Sequence, residues 1–283
     1  MNSAAEIIQA LQAAGVKPHR LRGQNFLLDQ RILAEIAGLL GPGEAGAVLE
    51  IGAGLGALSQ YLAKAAGQLA LLEIEPAFAA RLRALFADEP QVRVVQADAL
   101  AFDYAAFAKA AGWPAYSVFG NLPYNITTPL LQRLLTQGGG WLSLTLLLQK
   151  EAALRICQGQ GRENGPLTLL TEYYGRARLC FSVPAGAFYP RPAVESAVIR
   201  IERRQPPLPE AEAAGLFRLI RACFAQRRKT LANGAFAQLG LTRQAWLESL
   251  AAAGISSQTR AEALGLPDFQ ALYQRLTAVS ERI

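Results

Sequence analysis

Histidine is almost absent from this 283-residue chain: His19, in a short basic stretch, is the only one. Catalytic triads that use an imidazole base, and metal centres built from several histidines, are therefore excluded. Cysteine is nearly as scarce. Cys157, Cys180 and Cys223 lie far apart with no Cys-x-x-Cys pair, which argues against a disulfide framework or a zinc site and fits a reducing compartment. No metal is expected. Long apolar runs are missing too. Leu142 to Leu148 falls far short of a membrane span, and residues 1–14 alternate polar and apolar side chains and carry Glu6, unlike a signal peptide. These absences describe a soluble cytoplasmic protein with no membrane anchor. Charged residues are few, at 18%, yet unbalanced, with 28 Lys and Arg against 22 Asp and Glu. A surplus of +6 without a basic tail implies local basic patches, which suit a polyanionic partner.

Apolar residues are abundant, at 52%, enough to bury the core of one large domain and a small second one. The pattern opens with a short amphipathic helix, Ser3 to Ala14, stopped by Gly15 and Pro18. Asp29 is placed to cap a helix running to about Leu40. Ala47 to Ile51 reads as a strand, followed by Gly52-Ala53-Gly54-Leu55-Gly56 and a helix to about Ala66. A strand, a glycine loop and a helix form a nucleotide-binding arrangement, because glycine lets the backbone approach a ligand that a Cβ would push away. The loop alone does not name its cofactor. Gly52-x-Gly54-x-x-Ala57 also satisfies the loose dinucleotide pattern of a nicotinamide-dependent dehydrogenase.

Two acids follow at matching places. The second strand, Gln68 to Ile74, delivers Glu73 near its end, where a carboxylate can accept both hydroxyls of a ribose. Pro76 then opens a helix. The third strand, Val92 to Gln96, precedes Asp98, which can accept from an adenine amino group. A helical spacer, Ala101 to Ala111, leads to the fourth strand, Tyr116 to Phe119. That strand ends in Asn121-Leu122-Pro123-Tyr124-Asn125, where Pro123 fixes the turn and Asn121 and Tyr124 are presented at a strand's C-terminal edge. This loop offers hydrogen bonding to an amino group and stacking on a flat ring. Leu142 to Leu148 is the fifth strand. Ala177 to Val183 and Ser196 to Arg203 are the sixth and seventh, joined too tightly for a crossover helix and so expected to pair antiparallel. Their connection carries Phe188-Tyr189-Pro190-Arg191-Pro192, a stiff aromatic segment suited to one wall of a pocket, and residues 158–165 read as a polar glycine-rich loop.

Gln205-Pro206-Pro207-Leu208-Pro209 is the clearest linker, so residues 1–204 and 205–283 are expected as separate domains. Beyond it the pattern is helical, with helices at 211–225, near 231–239, at 243–253 and at 268–278. The cluster Arg227-Arg228-Lys229 is a candidate phosphate contact.

Taken together, Gly23-Gln24-Asn25-Phe26-Leu27, Glu50 to Gly56, Gln96-Ala97-Asp98-Ala99, Gly120 to Ile126, Leu148-Gln149-Lys150-Glu151 and Phe188 to Val198 resemble the rRNA adenine dimethyltransferase family. Phe224 to Thr230 resembles a segment of its KsgA/RsmA-type branch, which acts on small-subunit (16S) rRNA, rather than of the antibiotic-resistance branch, which acts on large-subunit rRNA. The resemblance implies a class I methyltransferase fold, Rossmann-like, with a seven-stranded mostly parallel sheet and a small all-helical C-terminal RNA-binding domain. It implies S-adenosylmethionine as cofactor, with Asn25 and Leu27 bordering it and Gly52 and Gly54 meeting it through the backbone. Glu73 would hold its ribose, Asp98 its adenine amino group and Asn121 its methionine end. Asn121, Leu122, Tyr124 and Phe188 would handle the target adenine, the last two as its aromatic walls. Arg227, Arg228 and Lys229 would meet rRNA within an immature 30S particle, with the enzyme a monomer. The alternatives are a large-subunit rRNA adenine methyltransferase of the antibiotic-resistance branch and a non-catalytic ribosome-assembly factor on the same scaffold. Leu21-Arg22 and Glu163 to Pro166 depart from the family pattern.

Overall fold

The computed structural model describes residues 4–13, 25–123, 126–137, 139–158, 164–226 and 228–280. They divide into two compact units, 1–153 with 177–203, and 154–176 with 204–283. In chain order the first elements are α1 (Ala4–Ala13), β1 (Phe26–Leu27), α2 (Gln30–Ala37), β2 (Val48–Ile51), α3 (Ser59–Ala65), β3 (Leu69–Glu73), α4 (Pro76–Leu85) and β4 (Val92–Gln96). Then come α5 (Tyr104–Ala110), β5 (Tyr116–Asn121), α6 (Thr127–Gln137), β6 (Trp141–Gln149), α7 (Lys150–Gln158), α8 (Pro166–Tyr174), β7 (Gly175–Val183), β8 (Phe188–Tyr189) and β9 (Ser196–Arg203). The chain closes with α9 (Glu210–Phe224), α10 (Arg243–Ala252) and α11 (Leu266–Ser280).

The first unit holds a seven-stranded sheet in the order β4-β3-β2-β5-β6-β9-β7. β2 pairs parallel with β3 and with β5, β3 with β4, and β5 with β6, whereas β9 runs antiparallel to β6. Every residue of β2 and β3 is buried, as expected of parallel strands covered on both faces. The chain winds outward from β2 through β3 to β4, then returns to β5 on the other side. β2 and β5 therefore flank the switch point where open α/β sheets bind ligands. The local signals act as read. The Asp29 side chain accepts from Arg31 and Ile32 N–H to cap α2, and Pro76 occupies the first turn of α4. Within the expected spacer, α5 begins at Tyr104 because Asp103 caps it.

One buried cation braces the sheet. Arg200 on β9 is 4% exposed and meets the Glu44 carboxylate, while its Nη1 donates to the Leu39 carbonyl at 2.9 Å. Burial works against the charged Glu44, but the Arg200 guanidinium and the Gly41 N–H outweigh it and hold its pKa below the usual carboxylate value.

The second unit is helical. Leu216, Ile220 and Phe224 of α9 are buried, with Phe224 against Phe269 of α11 at 6.0 Å between ring centroids. α8 joins this unit: Tyr173 lies edge-on to Phe217 at 5.1 Å, and its hydroxyl donates to the Leu208 carbonyl. The helix expected near 231–239 is instead two 3-10 turns, Leu231–Asn233 and Phe236–Leu239. Gly234 interrupts them, and Trp246 secures the first by donating from Nε1 to the Leu231 carbonyl at 2.7 Å. Among the described residues no helix is long and apolar enough to cross a membrane.

Candidate active site

The C-terminal ends of β2, β3, β4 and β5 lie side by side, and the loops leaving them enclose a cavity of about 310 Å³ in the first unit. Its floor is the turn after β2. Gly52 and Gly54 have φ of 72° and 56°, values at which a side chain is strained, and the Gly52 N–H donates to the Leu72 carbonyl at 2.8 Å. The loop is thereby folded back over the sheet edge, with its backbone lining the cavity.

Asn25, Leu27, Gly52, Gly54, Glu73, Asp98, Asn121 and Leu122 all line this cavity, although they come from five separate stretches of chain. Glu73 ends β3 and is 5% exposed. Its Oε2 accepts from the Gly54 N–H at 2.8 Å and its Oε1 from the Glu75 N–H at 2.9 Å. With about four lone-pair sites on its two oxygens, the carboxylate keeps acceptor capacity for a ligand. Burial pushes the carboxyl above its ordinary pKa, against the backbone N–H groups that favour its charge. Asp98 is exposed, and its Oδ1 accepts from the Leu100 N–H at 2.8 Å, which fixes the carboxylate at the cavity rim.

Asn121 closes β5. Its Nδ2 donates to the Asn25 carbonyl at 2.9 Å, and since a carbonyl can only accept, this bond sets the amide's orientation. The side-chain oxygen is then the acceptor that Asn121 offers. Leu122 is 1% exposed and its N–H donates to the Leu147 carbonyl, tying the turn to β6.

The structure does not bring Phe188 to the cavity. Its ring is 4% exposed in the core, on β8, which pairs with β1 through Leu27 and Phe188. A ring so enclosed has no face for a base unless it moves. Tyr124 and Arg227 lie outside the described residues. Arg228 and Lys229 are exposed in the second unit, just past α9. Among the described residues no group of three or more His, Cys, Asp or Glu is arranged to hold a metal ion.

Sequence reasoning missed several lining residues. Phe26, Ile74 and Phe78 give the cavity apolar walls, and Ile7 of α1 reaches it as well. Glu50 is the most telling omission. It is a carboxyl inside a strand buried on both faces, and that interruption of Val48-Leu49-Glu50-Ile51 was a readable signal. Burial raises its pKa to about 8, with the Ser59 hydroxyl opposing the shift and the Glu73 charge adding to it.

The family model for ribosomal RNA adenine dimethylase matches residues 16–277. The chain is 38% identical over 270 residues to ribosomal RNA small subunit methyltransferase A of Moorella thermoacetica, covering 93% of each chain. Against the protein of the same name from Geobacter sulfurreducens it is 37% identical, covering 95% of this chain and 98% of the relative. Among solved structures, the 23S rRNA methyltransferase ErmE superposes with a TM-score of 0.69 at 26% identity, over 89% of this chain and 99% of that one. A dimethyladenosine transferase from Plasmodium falciparum gives a TM-score of 0.75 at 21% identity over 90% and 98%, a likeness of fold.

Proposed function

Because the chain belongs to the ribosomal RNA adenine dimethylase family and takes its methyl group from S-adenosylmethionine, we propose that it dimethylates the N6 amino groups of two adjacent adenosines near the 3′ end of small-subunit rRNA. Its substrate in this reading is an immature 30S particle, met in the cytoplasm by a monomer. The donor supplies a methyl group activated by a positively charged sulfur. The cavity fits it: Gly52 and Gly54 admit close backbone contact, Glu73 has lone pairs for ribose hydroxyls, and Asp98 can accept from the adenine amino group. Asn25 and Leu27 border the same space.

The orientation of Asn121 carries the reading. An adenine amino group is a poor nucleophile because its lone pair is delocalised into the ring. Acceptors on both its hydrogens favour a pyramidal nitrogen and localise that lone pair. Asn121 presents Oδ1 for one hydrogen, and the Leu122 carbonyl is the candidate for the other. Tyr124 would stack on the extruded base, a contact worth about 1–3 kcal/mol. No strong general base is required, since positioning supplies most of the acceleration. Radiolabelled methyl transfer to immature 30S particles and to 50S RNA, followed by nucleoside analysis, tests the proposal. Label is expected in dimethyladenosine from the 30S particles. Label confined to 50S RNA would place the enzyme's substrate with that named for ErmE and overturn it.

A further inference from the structure

Glu50 is 3% exposed, lines the cavity, and its Oε2 has no hydrogen-bond partner. On β2 it sits in register between Leu71 of β3 and Phe119 of β5, so neither neighbouring strand offers it a charge at that level. The groups facing it are the Ser59 hydroxyl of α3, whose oxygen is likewise without a hydrogen-bond partner, and the Glu73 carboxyl of β3. Asp98 lines the same cavity from the loop after β4, and no Lys, Arg or His appears among the described lining residues. Compare Arg200 of the same sheet, equally buried, whose charge is matched by Glu44. A buried carboxyl with no matching cation stays neutral until one arrives.

We infer that Glu50 is a cofactor-binding residue that exchanges a proton for the ligand's positive charge: it is protonated in the empty cavity and ionises when S-adenosylmethionine enters. The inference rests on the cavity being the cofactor site. S-Adenosylmethionine carries one net positive charge and its demethylated product, S-adenosylhomocysteine, carries none. The same residue therefore holds the cofactor and discriminates against the product. When transfer leaves a neutral thioether, the charge that stabilised the Glu50 carboxylate is gone, and taking back a proton from solvent favours product release.

Calorimetric titration of the full chain in phosphate and in Tris, whose ionisation enthalpies differ, counts the protons exchanged on binding. At pH 7, S-adenosylmethionine is expected to release close to one proton and S-adenosylhomocysteine far less. The affinity for S-adenosylmethionine should rise with pH by up to about tenfold per unit and level off above about 8. Glu50→Gln keeps the shape and neutrality of the empty state. It should abolish the proton release, flatten the pH dependence, and reduce the preference for S-adenosylmethionine over S-adenosylhomocysteine by about tenfold or more. Carboxyl-labelled glutamate followed by NMR gives a second readout, a titration near pH 8 in the empty protein that moves down on binding. Proton release that persists in Glu50→Gln, or none in the native chain, overturns the inference while leaving the site in place. S-Adenosylmethionine binding unaffected by Gly54→Val, which fills the cavity floor, overturns both.

Discussion

Asn121 owes its orientation to one hydrogen bond, to the Asn25 carbonyl 96 residues earlier in the chain. Replacing it by alanine removes the acceptor proposed to face the reacting amino group, yet leaves Glu73 and Asp98 in place. Methyl transfer by Asn121→Ala should fall by at least about a hundredfold, the order of a lost transition-state hydrogen bond, with cofactor affinity within a few-fold of native. Near-normal turnover in a steady-state assay would remove Asn121 from the chemistry. Glu50 gives a second residue-scale outcome, in the ligand-free protein. Its folded pKa, about 8, is raised above the ordinary value of 4.5, so between these limits the folded state holds a proton that the unfolded chain has lost. Its share of stability is intact below about pH 4.5 and drains away as pH climbs to 8. Glu50→Gln should therefore melt progressively later than the native chain as pH rises from 5 to 9, the difference above pH 8 being on the order of a few kcal/mol. A melting-temperature gap that does not widen with pH in scanning calorimetry would refute the assignment.

Elements differ in how openly the sequence announces them. The Asp29 cap, Pro76 at the start of α4 and the apolar runs of β2 to β6 are local signals, and each marks the element it should. Antiparallel pairing of β9 with β6 was out of reach, because only the packed sheet decides which earlier strand receives it. The same limit hid Phe188: its burial follows from β8 pairing with β1, about 160 residues away in sequence, and nothing nearby distinguishes a core ring from a wall of the cavity. Near 231–239 helical composition was overridden by Gly234 and the docking of Trp246. Glycine also shapes helix packing in the second unit. A Cβ on Gly215 of α9 would collide with the Tyr273 ring of α11. Gly215→Val should cost about 1–3 kcal/mol of stability in urea unfolding, from overpacking, and adding Tyr273→Ala should recover part of it. An equally destabilised double variant would mean the two helices do not meet there.

At the scale of the whole molecule, charge is sorted by purpose. The chain carries +6, yet the described lining of the cavity proposed for the cofactor holds three carboxyls and no basic side chain. A cationic methyl donor and a polyanionic RNA need opposite surroundings, and a uniformly basic protein would disfavour the first while attracting the second. Arg228 and Lys229, exposed beside α9, belong to the basic fraction proposed to meet RNA, together with Arg227. Each phosphate they neutralise releases a counterion, so their effect is read in the salt dependence of binding as well as in affinity at one condition. Neutralising Arg228 and Lys229 to glutamine should weaken rRNA binding at low salt and reduce the slope of log K against log salt by about 0.7 for each phosphate left without its cation. Because the proposed cofactor residues all lie in the first unit, cofactor affinity in the same double variant should be unchanged. Filter binding of a small-subunit rRNA fragment across a salt series separates the outcomes. A parallel, merely displaced line would mean the pair acts on folding, and an unchanged line would mean that RNA is held by other parts of the basic surface.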